Sequence, residues 1–553
     1  MYKGRIIVMT VMLSALMSVV AGRLVYIQLV DQSMLASQGD QRTLRTDVLP
    51  ASRGMIVDRN NQPLAVSTPM TTIFADPRKV DPAQLPALAA DLGMSPGELI
   101  ERYQRFSNKA FMYIERRMVP SEAEAVLAKN YDGIYGKTEY QRFYPTGEVM
   151  ANVLGFTDVD GNGIEGLERS YDGFMQPELG AVDVVKDVRG RVIRVIEETA
   201  APRDGGNLQL TIDTQLQYLA YRELKAAVQA RNAKGGSVVI MDPRTGDVLA
   251  LANQPSFNPN DRSTVDPNGL RNRAVIDPFE PGSVIKPFTI AAALESGQYG
   301  ALNMVDTSPG FMRVTGQTIR DSGNYGEISL SDIIRRSSNV GASKIALHIG
   351  AQNVWSALWE TGIGQPLNLG FPAETNGQLT NRPRWSDAQT ATMSYGYGFT
   401  TSAVHLARAY SALANDGVLP PARLVKGVQT DQPKRVFSDK TARDVRTMLG
   451  AVVEDGTGRR AGLTLYTAGG KTGTVHKVGA NGYDSDRYRS TFVGMAPIEN
   501  PEMVVVITID EPQGEEYYGG EVAAPVFSAI LNRAMPMAGV TPNKDQPQLA
   551  RGE

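Results

Sequence analysis

Ser283 and Lys286 stand three residues apart in Glu280-Pro281-Gly282-Ser283-Val284-Ile285-Lys286-Pro287. A serine hydroxyl is a weak nucleophile until a base takes its proton. A lysine partly withdrawn from water has the depressed pKa that such a base needs. One Ser-x-x-Lys is expected by chance in a chain this long; of its 16 lysines only Lys286 has a serine three residues earlier, so the pair alone decides nothing. Ser337-Ser338-Asn339 adds hydroxyls and an amide, which in isolation read as a cap or turn. Ala468-Gly469-Gly470-Lys471-Thr472-Gly473-Thr474 presents a cation, two hydroxyls and backbone N–H groups on a Gly-rich strand edge. Gly-Gly-Lys-Thr also suggests a phosphate loop, but the Walker A spacing needs a glycine where Leu465 stands.

For these groups to meet, particular elements must carry them. Pro281-Gly282 is a turn, and residues 288–294 read as helical. An interior proline costs a helix about 3 kcal/mol, so Pro287 belongs to the first turn and the helix begins near Ser283. Ser283 and Lys286 then share a face at the positive helix end. Ser337 to Asn339 falls in a polar loop between helical patterns over 330–336 and 340–349. Upstream, 208–212 reads as a strand, and Asp213 precedes a helix over 214–230 whose Leu216, Leu219, Ala220, Leu224 and Val228 share a face. Residues 237–241 and 248–252 form a hairpin across Asp242-Pro243-Arg244-Thr245-Gly246-Asp247. With strands at 491–495 and 503–509, the pattern predicts one sheet flanked by helices, an α/β sandwich of roughly 330 residues. Between 51 and 204 short strands mix with helices. Helix starts are expected at Ser95-Pro96-Gly97-Glu98 and, after Pro120, at Ser121-Glu122-Ala123-Glu124. Residues 201–206 form an interdomain hinge.

The composition excludes several other chemistries. Apolar residues make up 42% and charged residues 21%, so the chain can bury a core. Net charge is −3, without the basic excess that nucleic acid as a partner would require. With no cysteine, disulfide frameworks, thiolate nucleophiles and Cys-type metal sites are absent. His348, His405 and His476 have no metal-site spacing, and no metal or cofactor is expected. Residues 6–22 are uncharged and apolar, about 25 Å of helix at 1.5 Å per residue. Lys3 and Arg5 before them place the N-terminus in the cytoplasm. A cleaved signal peptide is disfavoured by the length of the run and by Val19-Val20-Ala21, a poor cleavage site, so an uncleaved anchor is expected.

Taken together, Ser-x-x-Lys, Ser-x-Asn and Lys-Thr-Gly, 54 and then 134 residues apart, match the motif set of penicillin-binding proteins and serine β-lactamases. The stretch from Asn272 to Ser283 closely resembles the division-specific class B penicillin-binding proteins, of penicillin-binding protein 3 type. So do Arg53-Gly54-Met55-Ile56-Val57-Asp58-Arg59-Asn60, Arg142-Phe143-Tyr144-Pro145, Gly163-Ile164-Glu165-Gly166-Leu167-Glu168, Tyr395-Gly396-Tyr397-Gly398, Tyr518-Gly519-Gly520 and Ala524-Pro525-Val526-Phe527. Small departures, Val284-Ile285 within the first motif and Val475-His476 after the third, lie beside the required positions.

The resemblance implies an α/β transpeptidase domain of the penicillin-binding and serine β-lactamase type, an antiparallel sheet flanked by helices. It adds an elongated α+β N-terminal pedestal and one transmembrane helix. The expected division is a cytoplasmic N-terminus at 1–5, the anchor at 6–30, the pedestal (the penicillin-binding protein dimerisation type) at 31–205 with a polar stalk to about 50, the transpeptidase domain at 206–540 and a disordered tail at 541–553. The implied activity is peptidoglycan D,D-transpeptidation at the division septum. Ser283 would attack the D-Ala-D-Ala carbonyl with Lys286 as base. Ser337 would relay protons, Asn339 would hold the substrate amide and Lys471 would supply positive potential. Thr472 and Thr474, flanking Gly473, would bind the terminal carboxylate, and the N–H groups of Ser283 and Thr474 would form the oxyanion hole. An amine of a neighbouring stem peptide would resolve the acyl-enzyme, and β-lactams would acylate Ser283 as covalent inhibitors. Implied partners are a polytopic membrane glycan polymerase and other division proteins. The implied place is the bacterial cytoplasmic (inner) membrane, with the bulk of the chain in the periplasm.

Alternatives differ in what they require. A bifunctional class A protein would carry an acidic-Phe-His signature, yet no histidine precedes residue 205. A β-lactamase would need neither anchor nor pedestal. An elongation-type transpeptidase fits the Asp277-to-Ser283 run less well. A non-enzymatic β-lactam sensor or scaffold would need a signalling module, for which only about five residues precede the membrane segment. Trp355, Trp359 and Trp385 read as packing, Glu165 and Glu168 as structural, and His476 as a residue able to line the cleft rim.

Overall fold

A computed structural model describes residues 2–32, 34, 44–187, 192–263, 265–428, 431–479 and 482–544. The chain divides into two compact units. One comprises 1–53, 67–141 and 176–206; the other comprises 54–66, 142–175 and 207–553. Of the expected stalk, residues 33 and 35–43 lie outside the described residues, as do 545–553 of the expected tail.

The first unit opens with helix α1 (Tyr2–Leu29), which has no buried residue and is long and apolar enough to cross a membrane. It is longer than the apolar run because Lys3, Arg5 and Arg23 continue the helix at either end. Strand β1 (Leu44–Leu49) follows, then β2 (Pro63–Ala75), α2 (Leu85–Asp91), α3 (Pro96–Phe106), β3 (Met112–Met118), α4 (Pro120–Leu127), β4 (Ile134–Phe143), β5 (Gly180–Lys186) and β6 (Val192–Ala200). Strands β3 and β4 pair with β2, and β1, β5 and β6 form a separate antiparallel sheet. Ile73, Leu88, Leu99, Met112 and Val126 close the α+β core. Ser95 caps α3 by position, but its side chain makes no capping bond. The expected start at Ser121 is corrected: Val119 is the cap and Pro120 is already in the first turn, where a missing N–H costs nothing.

The second unit holds α5 (Thr214–Ala230), β7 (Gly235–Met241), β8 (Val248–Gln254), α6 (Lys286–Glu295), β9 (Phe311–Val314), β10 (Gln317–Arg320), α7 (Leu330–Arg336), α8 (Asn339–Ile349), α9 (Asp387–Ser394), α10 (Ala403–Ala414), α11 (Asp439–Asp455), β11 (Gly469–Gly479), β12 (Gly482–Ala496), β13 (Met503–Asp510) and α12 (Ala524–Met537). Five strands form an antiparallel sheet in the order β8-β7-β13-β12-β11, so β11 lies at an edge. The strand period of two sends alternate residues to opposite cores. Val238 and Ile240 face Leu216, Leu224, Phe527 and Ile530 of α5 and α12. Val239 and Met241 face the other side, with Ile290, Ile334, Ile345, Leu406 and Leu449 of α6, α7, α8, α10 and α11. The expected sheet between helix layers is what the chain forms.

Three details depart from the sequence reading. The strand expected over 208–212 covers only Leu208–Gln209, and Leu210 goes on to bridge Val425 instead. Segments 54–66 and 142–175, expected in the pedestal, belong to the second unit. Their Ile56, Leu64, Met150, Leu154 and Leu167 are buried in the same core as Val239 and Met241. Finally, the tail is held as far as Lys544: the backbone N–H groups of Asn543 and Lys544 each donate to Leu465 O at 3.1 Å.

Candidate active site

Ser283 lies in a 3-10 turn, Gly282–Ile285, that runs directly into α6, with Pro287 in its first turn. The turn is fixed from three sides. Gly282 N–H donates to Gly396 O (3.0 Å), and the Tyr410 hydroxyl of α10 donates to Val284 O (2.6 Å). Upstream, Glu280 accepts from Gly398 N–H (2.8 Å) and from the Tyr483 hydroxyl (2.9 Å). Gly282 has φ +61°, and a Cβ there would stand 2.4 Å from Val475 Cγ2, so only glycine lets the turn approach β11 this closely. The Ser283 side chain is half-buried and makes no hydrogen bond among the described residues, which leaves its hydroxyl open to the cleft.

Lys286 is fully buried one helical turn on. Its Nζ reaches Ser337 O (2.5 Å), Ser337 Oγ (3.1 Å) and Asn339 Oδ1 (2.7 Å). A charged amine would fill all three with N–H donors. A neutral amine would give two N–H groups to the carbonyl-type oxygens and keep a lone pair for an incoming proton. Burial and the neighbouring Lys471 hold its pKa well below the lysine range, while the Asp321 carboxylate acts the other way. The cage thus accommodates both protonation states of the amine, and burial shifts the balance toward the neutral one.

Ser337 occupies the residue after α7 in the left-handed conformation (φ 62°, ψ 39°), a place where glycine is usual. Ser338 then caps α8, its hydroxyl accepting from Gly341 N–H at 2.9 Å. This abrupt helix–helix corner points the Ser337 hydroxyl between two amines, because Lys471 Nζ lies 3.0 Å from Ser337 Oγ. Lys471 is fully buried on edge strand β11, and burial lowers its pKa to about 7. Thr472 Oγ1 pairs with Thr457 Oγ1 (2.9 Å), and Thr474 Oγ1 accepts from Gly519 N–H (3.0 Å). Gly473 packs beneath the Ser283 turn, where a Cβ would lie 3.0 Å from Val284 Cγ1.

All three expected motifs therefore border one place, with Lys286, Ser337, Asn339 and Lys471 in a continuous hydrogen-bonded chain and Ser283 and Thr474 on adjoining backbone. Sequence reasoning missed Asp321, Thr457 and Tyr410, which reach the site only through tertiary contacts. Thr457, flanked by Gly456 and Gly458, carried a faint turn signal. The other singled-out residues pack elsewhere. Glu168 is buried and accepts from Arg142 Nε (2.7 Å), and Trp355 stacks on Trp359 at 5.3 Å. His405 is buried against Ser402, and His476 packs beside Tyr488. His476 follows Thr474 by two residues on β11, so both lie on one face of the strand.

Comparison with known proteins adds the following. Residues 236–532 match the penicillin-binding protein transpeptidase domain, and residues 48–210 match the penicillin-binding protein dimerisation domain. A Pseudomonas aeruginosa protein named probable peptidoglycan D,D-transpeptidase PbpC is 40% identical, over 99% of this chain and 97% of its own. Peptidoglycan D,D-transpeptidase FtsI of Escherichia coli K12 is 38% identical over 94% of this chain and 90% of its own. Among solved structures, penicillin-binding protein 3 of Mycobacterium tuberculosis in complex with aztreonam superposes with a TM-score of 0.70 at 28% identity, covering 90% of this chain and 98% of that one. The transpeptidase domain of Burkholderia pseudomallei penicillin-binding protein 3 gives 0.56 at 41% identity, covering 61% of this chain and 98% of that one.

Proposed function

Since the chain belongs to the class B penicillin-binding proteins and is a peptidoglycan D,D-transpeptidase, we propose that it forms its acyl-enzyme on Ser283 and builds septal cell wall. The elongation-type and sensor alternatives are not favoured, because the relatives carry transpeptidase names that include the division protein FtsI. The observation that supports the site assignment is the pair of buried lysines meeting at one serine hydroxyl beside the nucleophile turn.

In the proposed reaction, Ser283 Oγ bonds to the penultimate D-Ala carbonyl carbon as its proton passes to neutral Lys286. The N–H groups of Ser283 and Thr474 receive the oxyanion, each such donor typically contributing about 3–4 kcal/mol. Ser337 carries the proton from Lys286 to the departing D-alanine nitrogen as the peptide C–N bond breaks. Lys471, Thr472 and Thr474 draw in the terminal carboxylate, and Asn339 aligns the stem-peptide amide. The amine of a second stem peptide then attacks the ester carbonyl, gives its proton back through the same groups and frees Ser283. β-Lactams enter the first half of this cycle and stop there.

The apolar helix α1 anchors the chain in the inner membrane with its first residues in the cytoplasm and the chain beyond the helix in the periplasm, beside a polytopic glycan polymerase. Exchange of the terminal D-alanine of a synthetic stem peptide for a labelled D-amino acid tests the activity. Exchange by the wild-type protein and none by Ser283→Ala is expected, whereas exchange by the variant would refute the assignment. A fluorescent fusion tests the septal role, which side-wall labelling throughout the cycle would contradict.

A further inference from the structure

Asp321 has no part in the proton route above, yet the Ser337–Asn339 corner is built on its carboxylate. Oδ1 accepts from the backbone N–H groups of Asn339 (2.6 Å) and Val340 (3.0 Å), and Oδ2 accepts from the Ser338 hydroxyl (2.5 Å). These are short, charge-assisted bonds at the positive end of an 11-residue helix. The preceding carbonyl, Arg320 O, accepts from Asn339 Nδ2 (3.1 Å). With Lys286 Nζ on Asn339 Oδ1 (2.7 Å), both ends of that amide are fixed, and its second N–H remains for a ligand. The support is itself bonded and packed. Asp321 N–H donates to Gly310 O (2.9 Å), and the β9–β10 hairpin packs Val314 and Ile319 against Val340 and Ala391.

We propose that Asp321 is a positioning residue for acyl transfer: it holds the Ser337–Asn339 corner against Lys286 and supplies the negative charge facing that amine once it has taken the serine proton. The direction of its field on Lys286, favouring the charged form, agrees. Of the charges acting on that amine, Lys471 opposes the protonated state and Asp321 supports it. The inference rests on the reading of Ser283 and Lys286 as nucleophile and base, and it concerns the acylation step. Because Asp321 acts through the corner, its loss should slow that step more than it weakens the initial complex.

The test is stopped-flow acylation of the full-length, detergent-solubilised protein by a fluorescent penicillin, resolving the dissociation constant of the first complex from the acylation rate constant. Asp321→Asn keeps the size and an acceptor oxygen for the two backbone N–H groups, but it removes the charge and the Ser338 acceptor. A fall of about 10- to 100-fold in the rate constant is expected, with the dissociation constant changed less than about twofold. A wild-type rate constant, or a loss confined to the dissociation constant, would overturn the proposal. Ser338→Ala removes one of the three bonds to Asp321, together with the Gly341 cap bond, and keeps the charge, so it serves if Asp321→Asn does not fold. A smaller loss in the same rate constant is expected there, alongside a melting temperature lowered by the loss of the α8 cap, and no loss in the rate constant overturns the proposal. Ser283→Ala run alongside separates the two readings. Labelling that persists in it removes the nucleophile assignment, while its disappearance together with a wild-type rate for Asp321→Asn removes only the role of Asp321.

Discussion

At the residue scale, the site depends on two amines that burial has made weak bases. Lys286 is held well below the lysine range and Lys471 at about 7. A base whose pKa is lowered keeps its neutral form to a lower pH than an ordinary lysine, and that form is lost as pH falls through its own value. Acylation should therefore fall on the acid side as Lys286 takes a proton. Capture of a carboxylate substrate should weaken as pH rises through about 7, where Lys471 loses its charge. Because a bound carboxylate raises the pKa of the ammonium it faces, the alkaline limb should lie higher for kcat than for kcat/KM. Coincident limbs in the two profiles would contradict this. Lys286→Ala should slow acylation by about 10²- to 10⁴-fold, the usual worth of a positioned base, read as the rate of penicillin labelling. Ser337 offers a sharper separation. A left-handed backbone costs a non-glycine residue of order 1 kcal/mol or more, so Ser337→Gly should melt no lower than the wild type while losing most of its turnover. That Ser283, Lys286, Ser337, Asn339 and Lys471 are candidates for one site was legible because each motif is short and local and the three follow in a fixed order. Asp321 stands 16 residues before Ser337 with no pattern linking them; only the fold brings its carboxylate to the α8 terminus.

At the element scale, the site is a set of helix and strand ends held by two cores. The hairpin over 235–254, the helix from Thr214 and the last two strands were legible from period-two and period-3.6 patterns. Edge strand β11 was legible only as a Gly-rich strand edge over 468–474; its continuation to Gly479 was not, because glycine and polar residues suited to close approach carry no core periodicity. The error at Ser121 has a similar origin: serine and proline both mark helix starts, and the proline prevailed. Phe527 on α12 is fully buried and packs edge-on against Phe492 of β12 at 5.0 Å. Phe527→Ala should destabilise the second unit by about 3–5 kcal/mol, measured by denaturant unfolding. A loss below about 1 kcal/mol would mean that this face of the sheet is not packed as described.

At the scale of the whole molecule, the linear order of the chain and its packing differ. The division at residue 205 is proposed as the boundary between pedestal and transpeptidase domain, although 54–66 and 142–175 lend apolar side chains to the second core. A fragment of 206–540 should accordingly still be acylated but melt below the full chain. A chain without α1 should leave the membrane fraction and keep its acylation rate. The central claim is that the Ser283 hydroxyl is the group that opens an acyl bond beside the caged Lys286. Peptide mapping by mass spectrometry of the penicillin-treated full-length protein tests it most directly. One adduct on the peptide containing Ser283, absent from Ser283→Ala, is the predicted result; an adduct on any other peptide, or one that survives in the variant, would contradict it.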